Sequence, residues 1–274
     1  MANEIIIKPH KGWLNIDLKE LWDYRELAYF FVWRDIKVRY KQTAVGALWA
    51  IFKPLTAMLI FTLFFGRFAK MPSDGVPYPV FVYIGLLLWN YFSFGLSLSS
   101  GSMVGNAGII QKIYFPRLIV PFASSLVGLV DFAIASVILI GIMLYYKYIP
   151  NMTGIFYLPL LIFITFLSSV GLGCFLGAVN VKYRDVRYVV PFFIQMLMFL
   201  TPVIYPASML EGKFKWVLAL NPMAGVIETA RSTLLGIRAV DWQLLSTSII
   251  ISIALFIFGI FYFRKTERYF ADII

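Results

Sequence analysis

The chain has 274 residues, 61% of them apolar and only 14% charged, against roughly 25% charged in an ordinary soluble domain. Surface of that kind cannot be hidden in one water-soluble core, and apolar runs of the ~20 residues needed to cross hydrocarbon recur along the sequence. The formal charge of +10 sits at the ends of these runs rather than along one face, which argues against a nucleic-acid groove and fits loops beside anionic headgroups.

Residues 1–20 are polar and of mixed charge, so no cleavable signal segment is expected. Residues 20–41 set Leu21, Trp22, Leu27, Phe30, Phe31 and Ile36 among charges and end in Arg34, Asp35, Lys37, Arg39 and Lys41. They predict an amphipathic helix in the cytoplasmic headgroup layer; a soluble helix packed on a neighbouring domain is the alternative. Six apolar spans follow, at about 48–68, 80–102, 118–146, 155–179, 188–205 and 244–263. Backbone amides in hydrocarbon must be satisfied within the segment, which makes each span a helix. The short alternating stretches of a β-barrel do not occur in the sequence. Between the fifth and sixth spans, 206–243 is too polar and too punctuated by Pro and Gly to cross, and its piece 221–237 predicts a half-length or re-entrant helix.

The expected architecture is therefore one all-α transmembrane domain over 1–274. It has six transmembrane helices, an amphipathic interfacial helix before them, and a short re-entrant or periplasmic helical segment between spans five and six. With the N-terminus inside, the inner segments carry sixteen of the twenty-four lysines and arginines and the outer segments seven, with Lys53 inside span one. That bias places both termini in the cytoplasm.

The sequence holds no G-x-x-x-x-G-K-[ST] phosphate loop, and His10 is the single histidine, far from any span. An ATPase site, a histidine triad and an intramembrane metal cluster are thus not expected, and the chain does not read as an enzyme. Cys174 lies beside Gly171, Gly173 and Gly177 and reads as a small packing residue. Ionisable residues well inside the spans are few, and Lys53 is near enough to an end to snorkel. Asp131, in the middle of span three, reads either as a buried hydrogen-bonding group or as the carboxylate of an ion-coupled carrier. Glu228 and Arg231, three apart, would share a face of the short helix and could pair. Phe61, Phe64, Phe65 and Phe68 follow i, i+3, i+4, i+7 spacing, and Phe192 and Phe199 lie seven apart with Gln195 between them. Sugar rings stack on such faces; lipid contact and packing are the plainer reading.

The run Trp33-Arg34-Asp35-Ile36-Lys37-Val38-Arg39-Tyr40-Lys41, followed by Gly46, Trp49 and Pro54, resembles the lead into the first span in permease subunits of type-2 ABC exporters. The branch it is most similar to exports polysaccharides such as O-antigen, capsule and teichoic acid. Asn180-Val181-Lys182-Tyr183-Arg184-Asp185, Thr201-Pro202-Val203-Ile204-Tyr205-Pro206 and Leu220-Asn221-Pro222 agree in order, so the resemblance runs from about 20 to 268. It implies a homodimer in the bacterial inner membrane with two cytoplasmic ATPase subunits on a separate chain, which hold the ATP and Mg. No cofactor is then bound by this chain.

The resemblance also implies that 103–117 is the coupling segment. Ile109, Ile110, Gln111, Lys112, Tyr114 and Phe115 would meet the ATPase, and Arg34 and Asp35 would lie alongside. The path would run between protomers, lined by spans one and five: Phe61, Phe64, Phe65, Phe68, Phe192, Gln195, Phe199 and Tyr205. Residues 206–240, with Glu228 and Arg231, would form the outer gate. The expected cargo is a lipid-linked polysaccharide. The alternatives are an exporter of another lipid or drug, and an ion-coupled carrier built on Asp131.

Overall fold

The computed structural model describes residues 18–41, 48–210 and 217–270. His10, Gly46 and the 211–216 part of the outer segment lie outside the described residues. In chain order the helices are α1 (Leu18–Asp23), α2 (Arg25–Lys41), α3 (Leu48–Phe61, continuing as a π-helical stretch over Thr62–Phe68), α4 (Tyr78–Gly105) and α5 (Ala107–Ile110). Then come α6 (Ile119–Leu126), α7 (Gly128–Tyr145), α8 (Met152–Lys182), α9 (Val186–Leu200), α10 (Pro222–Leu235) and α11 (Trp242–Glu267). No strand occurs among the described residues.

Five segments are long and apolar enough to cross a membrane: Leu48–Phe68, Tyr78–Gly105, Ile119–Tyr145, Met152–Lys182 and Trp242–Glu267. The expected fifth span, 188–205, is shorter than its apolar run. Its helix covers only Val186–Leu200, about 22 Å at 1.5 Å per residue. The reason is local: Thr201 precedes a proline and takes an extended conformation (φ −93°, ψ 141°), because Pro202 crowds the helical region of the residue before it.

α4 is the hub. Tyr83, Ile84, Leu88 and Leu96 on it are fully buried, and α3, α6, α7, α8, α9 and α10 all pack against it. Small residues set the closest crossings, as helices without a hydrophobic drive between them require. A Cβ on Gly259 of α11 would overlap the carbonyl of Gly171 on α8, and Ser168 donates to Ser252 across the same seam at 2.8 Å. Gly173 faces Ser99 of α4, and Ser125 and Ser169 are 3.0 Å apart. Cys174 is fully buried in this seam, as its glycine neighbours suggested.

The caps are conventional. Asn221 accepts from the Met223 amide at 3.0 Å, Pro222 opens α10, and Gly236 closes it at φ 65°. Asp241 caps α11 through the Leu244 amide at 3.0 Å. α2 lies against α6 and buries Phe31, while Trp22, Tyr29, Phe30 and Trp33 stay exposed. α3 and α9 are covered least, with only Ala50, Pro54 and Met58 buried on the helical part of α3, and Val186 and Val190 on α9.

Candidate functional site

At the Gly105 end of α4 the chain turns through Asn106 into α5. Arg34 of α2 donates to Asn106 Oδ1 at 2.7 Å and to Asp35 at 2.9 Å, and the Asn106 amide donates to the Ser102 carbonyl at 2.8 Å. The Arg34 guanidinium also lies 4.9 Å over the Phe31 ring, and Phe31 packs on Phe115 at 5.8 Å. Arg117 donates to the Glu267 carbonyl at the end of α11, and the Tyr114 hydroxyl reaches Glu20 of α1 at 3.3 Å. Partial burial, with the Glu20 carboxylate beside it, raises the Tyr114 phenol above its ordinary pKa. The segment 103–117 is therefore clamped to α1, α2 and α11 as one body.

Within that body the expected contact residues divide. Ile110 (5% exposed) and Phe115 (3%) point inward, in a cluster with Met103, Leu118, Phe263 and Phe270, and Ile109 is half-buried. Gln111, Lys112 and Tyr114 point outward, together with Ile113 (61% exposed), which the sequence reading passed over. The outward surface is thus the four-residue knob 111–114, and Ile110 and Phe115 are its roots.

Asp131, on the first turn of α7, has both carboxylate oxygens occupied. Arg39 donates to one at 2.6 Å and the Tyr40 hydroxyl to the other. Arg39 also stacks 4.2 Å over Phe94. Asp131 is half-buried, and its hydrogen-bond partners lie at the end of α2.

The aromatic stripe of α3 is not one stripe. In the π-helical stretch the amide of Ala69 reaches back five residues to the Phe64 carbonyl at 2.9 Å, and a wider turn stacks i, i+4 pairs while separating i, i+3 pairs. Phe61 meets Phe65 edge-on at 5.7 Å and Phe64 meets Phe68 at 5.9 Å. The first pair is half-buried against the core; the second is exposed. On α9, Phe192, Gln195 and Phe199 are all exposed and share a face with Tyr188. Tyr205 is half-buried and folds back, donating to the Leu200 carbonyl at 3.2 Å. α4 packs against both α3 and α9, and the outer faces of the two stay uncovered.

At the Tyr78 end of α4, Arg231 of α10 is 1% exposed. Its guanidinium donates to the carbonyls of Pro202 (2.6 Å) and Val203 (2.7 Å) in the unwound segment after α9, and to that of Phe81 on α4 (3.1 Å). It lies 3.6 Å over the Phe81 ring. The expected partner, Glu228, is 3.8 Å away and keeps one carboxylate oxygen without a hydrogen bond. Gly85 makes room: a Cβ there would stand 2.7 Å from the guanidinium. The sequence pairing of Arg231 with Glu228 is real but weak, and the main partners are backbone carbonyls. Asp74, which pairs with Arg238 at 3.0 Å and accepts from Ser208 at 3.0 Å, ties the same end together and was not singled out in the sequence.

No group of three or more His, Cys, Asp or Glu able to hold a metal ion occurs among the described residues. Residues 26–235 match the family model described as ABC-2 type transporter. The chain is 26% identical over 241 residues to the O-antigen export system permease protein RfbA of Klebsiella pneumoniae, covering 88% of this chain and 92% of that one. It is 26% identical over 258 residues to the protein of the same description in Myxococcus xanthus, covering 93% and 98%. It is 23% identical over 202 residues to the polysialic acid transport protein KpsM of Escherichia coli, covering 74% and 78%.

Proposed function

The chain belongs to the ABC-2 type transporter family, and from that premise we propose that it is the transmembrane subunit of an ATP-driven exporter carrying a lipid-linked, O-antigen-like polysaccharide across the bacterial inner membrane. The cargo class rests on the relatives, named for O-antigen export and polysialic acid transport. The observation that carries the mechanism is the clamped segment 103–117. It presents Gln111, Lys112, Ile113 and Tyr114 outward from a body that includes α1, α2 and the end of α11. A push on such a knob moves the interfacial helix and the span ends together, as ATP-driven closure of a separate subunit requires.

In this reading α9 and the unwound Thr201–Tyr205 together make the sixth crossing, α2 lies in the headgroup layer, and both termini are cytoplasmic, following the lysine and arginine bias. α10 is a short helix of the outer gate, and Arg231 holds the gate to α4 and to the end of α9. Two copies form a homodimer and two ATPase subunits hold the ATP and Mg. The uncovered faces of α3 and α9 line the path from opposite protomers, where Phe64, Phe68, Phe192 and Phe199 offer weak stacking surfaces for sugar rings. Weak, repeated contacts suit a polymer that must not stall. The ion-coupled carrier built on Asp131 has no support, because both its oxygens are held by α2.

Co-expression with candidate nucleotide-binding subunits tests the reading. The expected outcome is a stable complex whose ATP hydrolysis rises with lipid-linked glycan. A permease that purifies without an ATPase, or a complex indifferent to the glycan, contradicts it.

A further inference from the structure

A cleft of about 460 Å³, counting its open mouth, lies between α2, α3, α4 and α7. Arg39, Trp49, Lys53, Asn90, Phe94 and Asp131 line it. It holds two cations against one carboxylate, and that carboxylate is already saturated by Arg39 and Tyr40. Among the described residues, neither the Lys53 ammonium nor the Asn90 side-chain amide has a hydrogen-bond or ion-pair partner. Both are donors, on the facing walls formed by α3 and α4. Lys53 is exposed at the cleft and Asn90 half-buried beside it, so a polar occupant with several acceptor oxygens and negative charge can pair with both donors at once. Lys53 is about 8 Å along α3 from Leu48 at 1.5 Å per residue, within the first turns of that helix. Trp49 and Phe94 supply apolar walls on either side.

We propose that this cleft binds the phosphate-bearing headgroup that anchors the exported glycan to its lipid, through Lys53, Asn90 and Arg39. The proposal rests on the exporter reading above and names where its substrate first docks. A phosphate in the cleft competes with Asp131 for Arg39. Arg39 lies on the same helix as Arg34, which holds Asn106 at the start of the coupling segment. Occupancy of the cleft is thereby communicated to the 111–114 knob, so that an anchored substrate primes the ATPase.

The test uses the permease–ATPase complex in nanodiscs of a neutral phospholipid and measures binding of a radiolabelled polyprenyl diphosphate. Saturable binding is expected, with no competition from the corresponding polyprenol, which lacks the phosphates. Lys53→Gln is expected to weaken binding about tenfold, the effect of losing one charge-assisted contact. Lys53→Arg is expected to restore it, and Asn90→Ala to weaken it severalfold. Thermal unfolding and assembly of each variant, read in parallel, separate loss of the site from loss of the fold. Wild-type affinity in a folded Lys53→Gln complex overturns the proposal. Equal competition by phosphatidylglycerol assigns the cleft to bulk phospholipid, and equal competition by inorganic pyrophosphate to a soluble phosphate; either result overturns the assignment to the substrate anchor. Failure of the exporter reading itself is distinguishable, since it shows as absence of an ATPase complex before any lipid is added.

Discussion

Arg231 shows how a single side chain can replace a turn of helix. α9 stops at Leu200, leaving the carbonyls of Pro202 and Val203 without helical donors in a setting where water cannot serve them. The planar fork of Arg231 reaches both and the Phe81 carbonyl at once, a geometry that an ammonium cannot copy. Arg231→Met is therefore expected to cost about 3 kcal/mol or more, by leaving buried acceptors unsatisfied, and Arg231→Lys to recover only part of that. Glu228→Gln should stay within about 1 kcal/mol, since the two side chains stand 3.8 Å apart. Thermal unfolding of the purified permease in detergent reads all three, and equal losses for the Glu228 and Arg231 variants would contradict this division of roles. The sequence placed Arg231 and Glu228 on one face because three-residue spacing in a helix does so. It could not show that unwound carbonyls lay nearer, because Val203 and Phe81 are brought to Arg231 only by the packing of α9, α10 and α4. Asp131 teaches the same lesson. Its position inside an apolar run advertises a costly charge, but its partners Arg39 and Tyr40 are about ninety residues away in sequence.

At the scale of elements, the coupling body makes a sharper prediction than its sequence did. Ile110 and Phe115 root the knob and Ile113 and Tyr114 face out, so the same substitution should act in two ways. Ile113→Asp and Tyr114→Asp are expected to leave the permease folded and to lower glycan-stimulated ATP hydrolysis of the complex by about tenfold, a loss of roughly 1.4 kcal/mol. Ile110→Asp and Phe115→Asp bury a charge without a partner and are expected to unfold the α1–α2 body. Gel filtration of each variant alone, followed by an ATPase assay of the complex, separates the two classes. Loss of folding in Ile113→Asp, or a well-folded Ile110→Asp, contradicts the assignment. The apolar content of 103–117 was legible as unusual for a loop; which side chain faced which way was not, because past the end of α4 at Gly105 only the four residues of α5 are helical and no period governs the rest. The stripe on α3 fails for a related reason. The i, i+3, i+4, i+7 pattern assumes 3.6 residues per turn, and the π-helical stretch from Thr62 to Phe68 widens the turn, sending Phe61 and Phe65 inward and Phe64 and Phe68 outward.

For the molecule as a whole, the spans were readable because hydrocarbon imposes length and composition directly. Asn221, Pro222 and Gly236 bounded α10 just as plainly. Pro202 lies inside the apolar run of the fifth segment, so composition alone extended that helix past its end at Leu200. The assembly was not readable from composition. α3 and α9 each leave most of one face uncovered, and in the proposed homodimer these faces meet across the path. Cysteines at Phe68 and Phe199, whose exposed side chains do not anchor the core, are expected to cross-link between protomers through a short bis-maleimide. Lipid-linked glycan should protect them. Cross-linking only within one protomer contradicts a path lined by α3 and α9.

The central claim is that ATP, spent by a partner, moves a lipid-linked polysaccharide through this chain. The direct measurement uses inside-out vesicles that carry the permease with its ATPase and a labelled lipid-linked glycan on the outer leaflet. The account predicts that ATP delivers the glycan to the lumen, that a proton gradient without ATP does not, and that Asp131→Asn does not abolish the ATP-driven signal unless α2 comes loose. Delivery that follows the proton gradient, needs no ATP and vanishes with Asp131→Asn in a folded protein would contradict it.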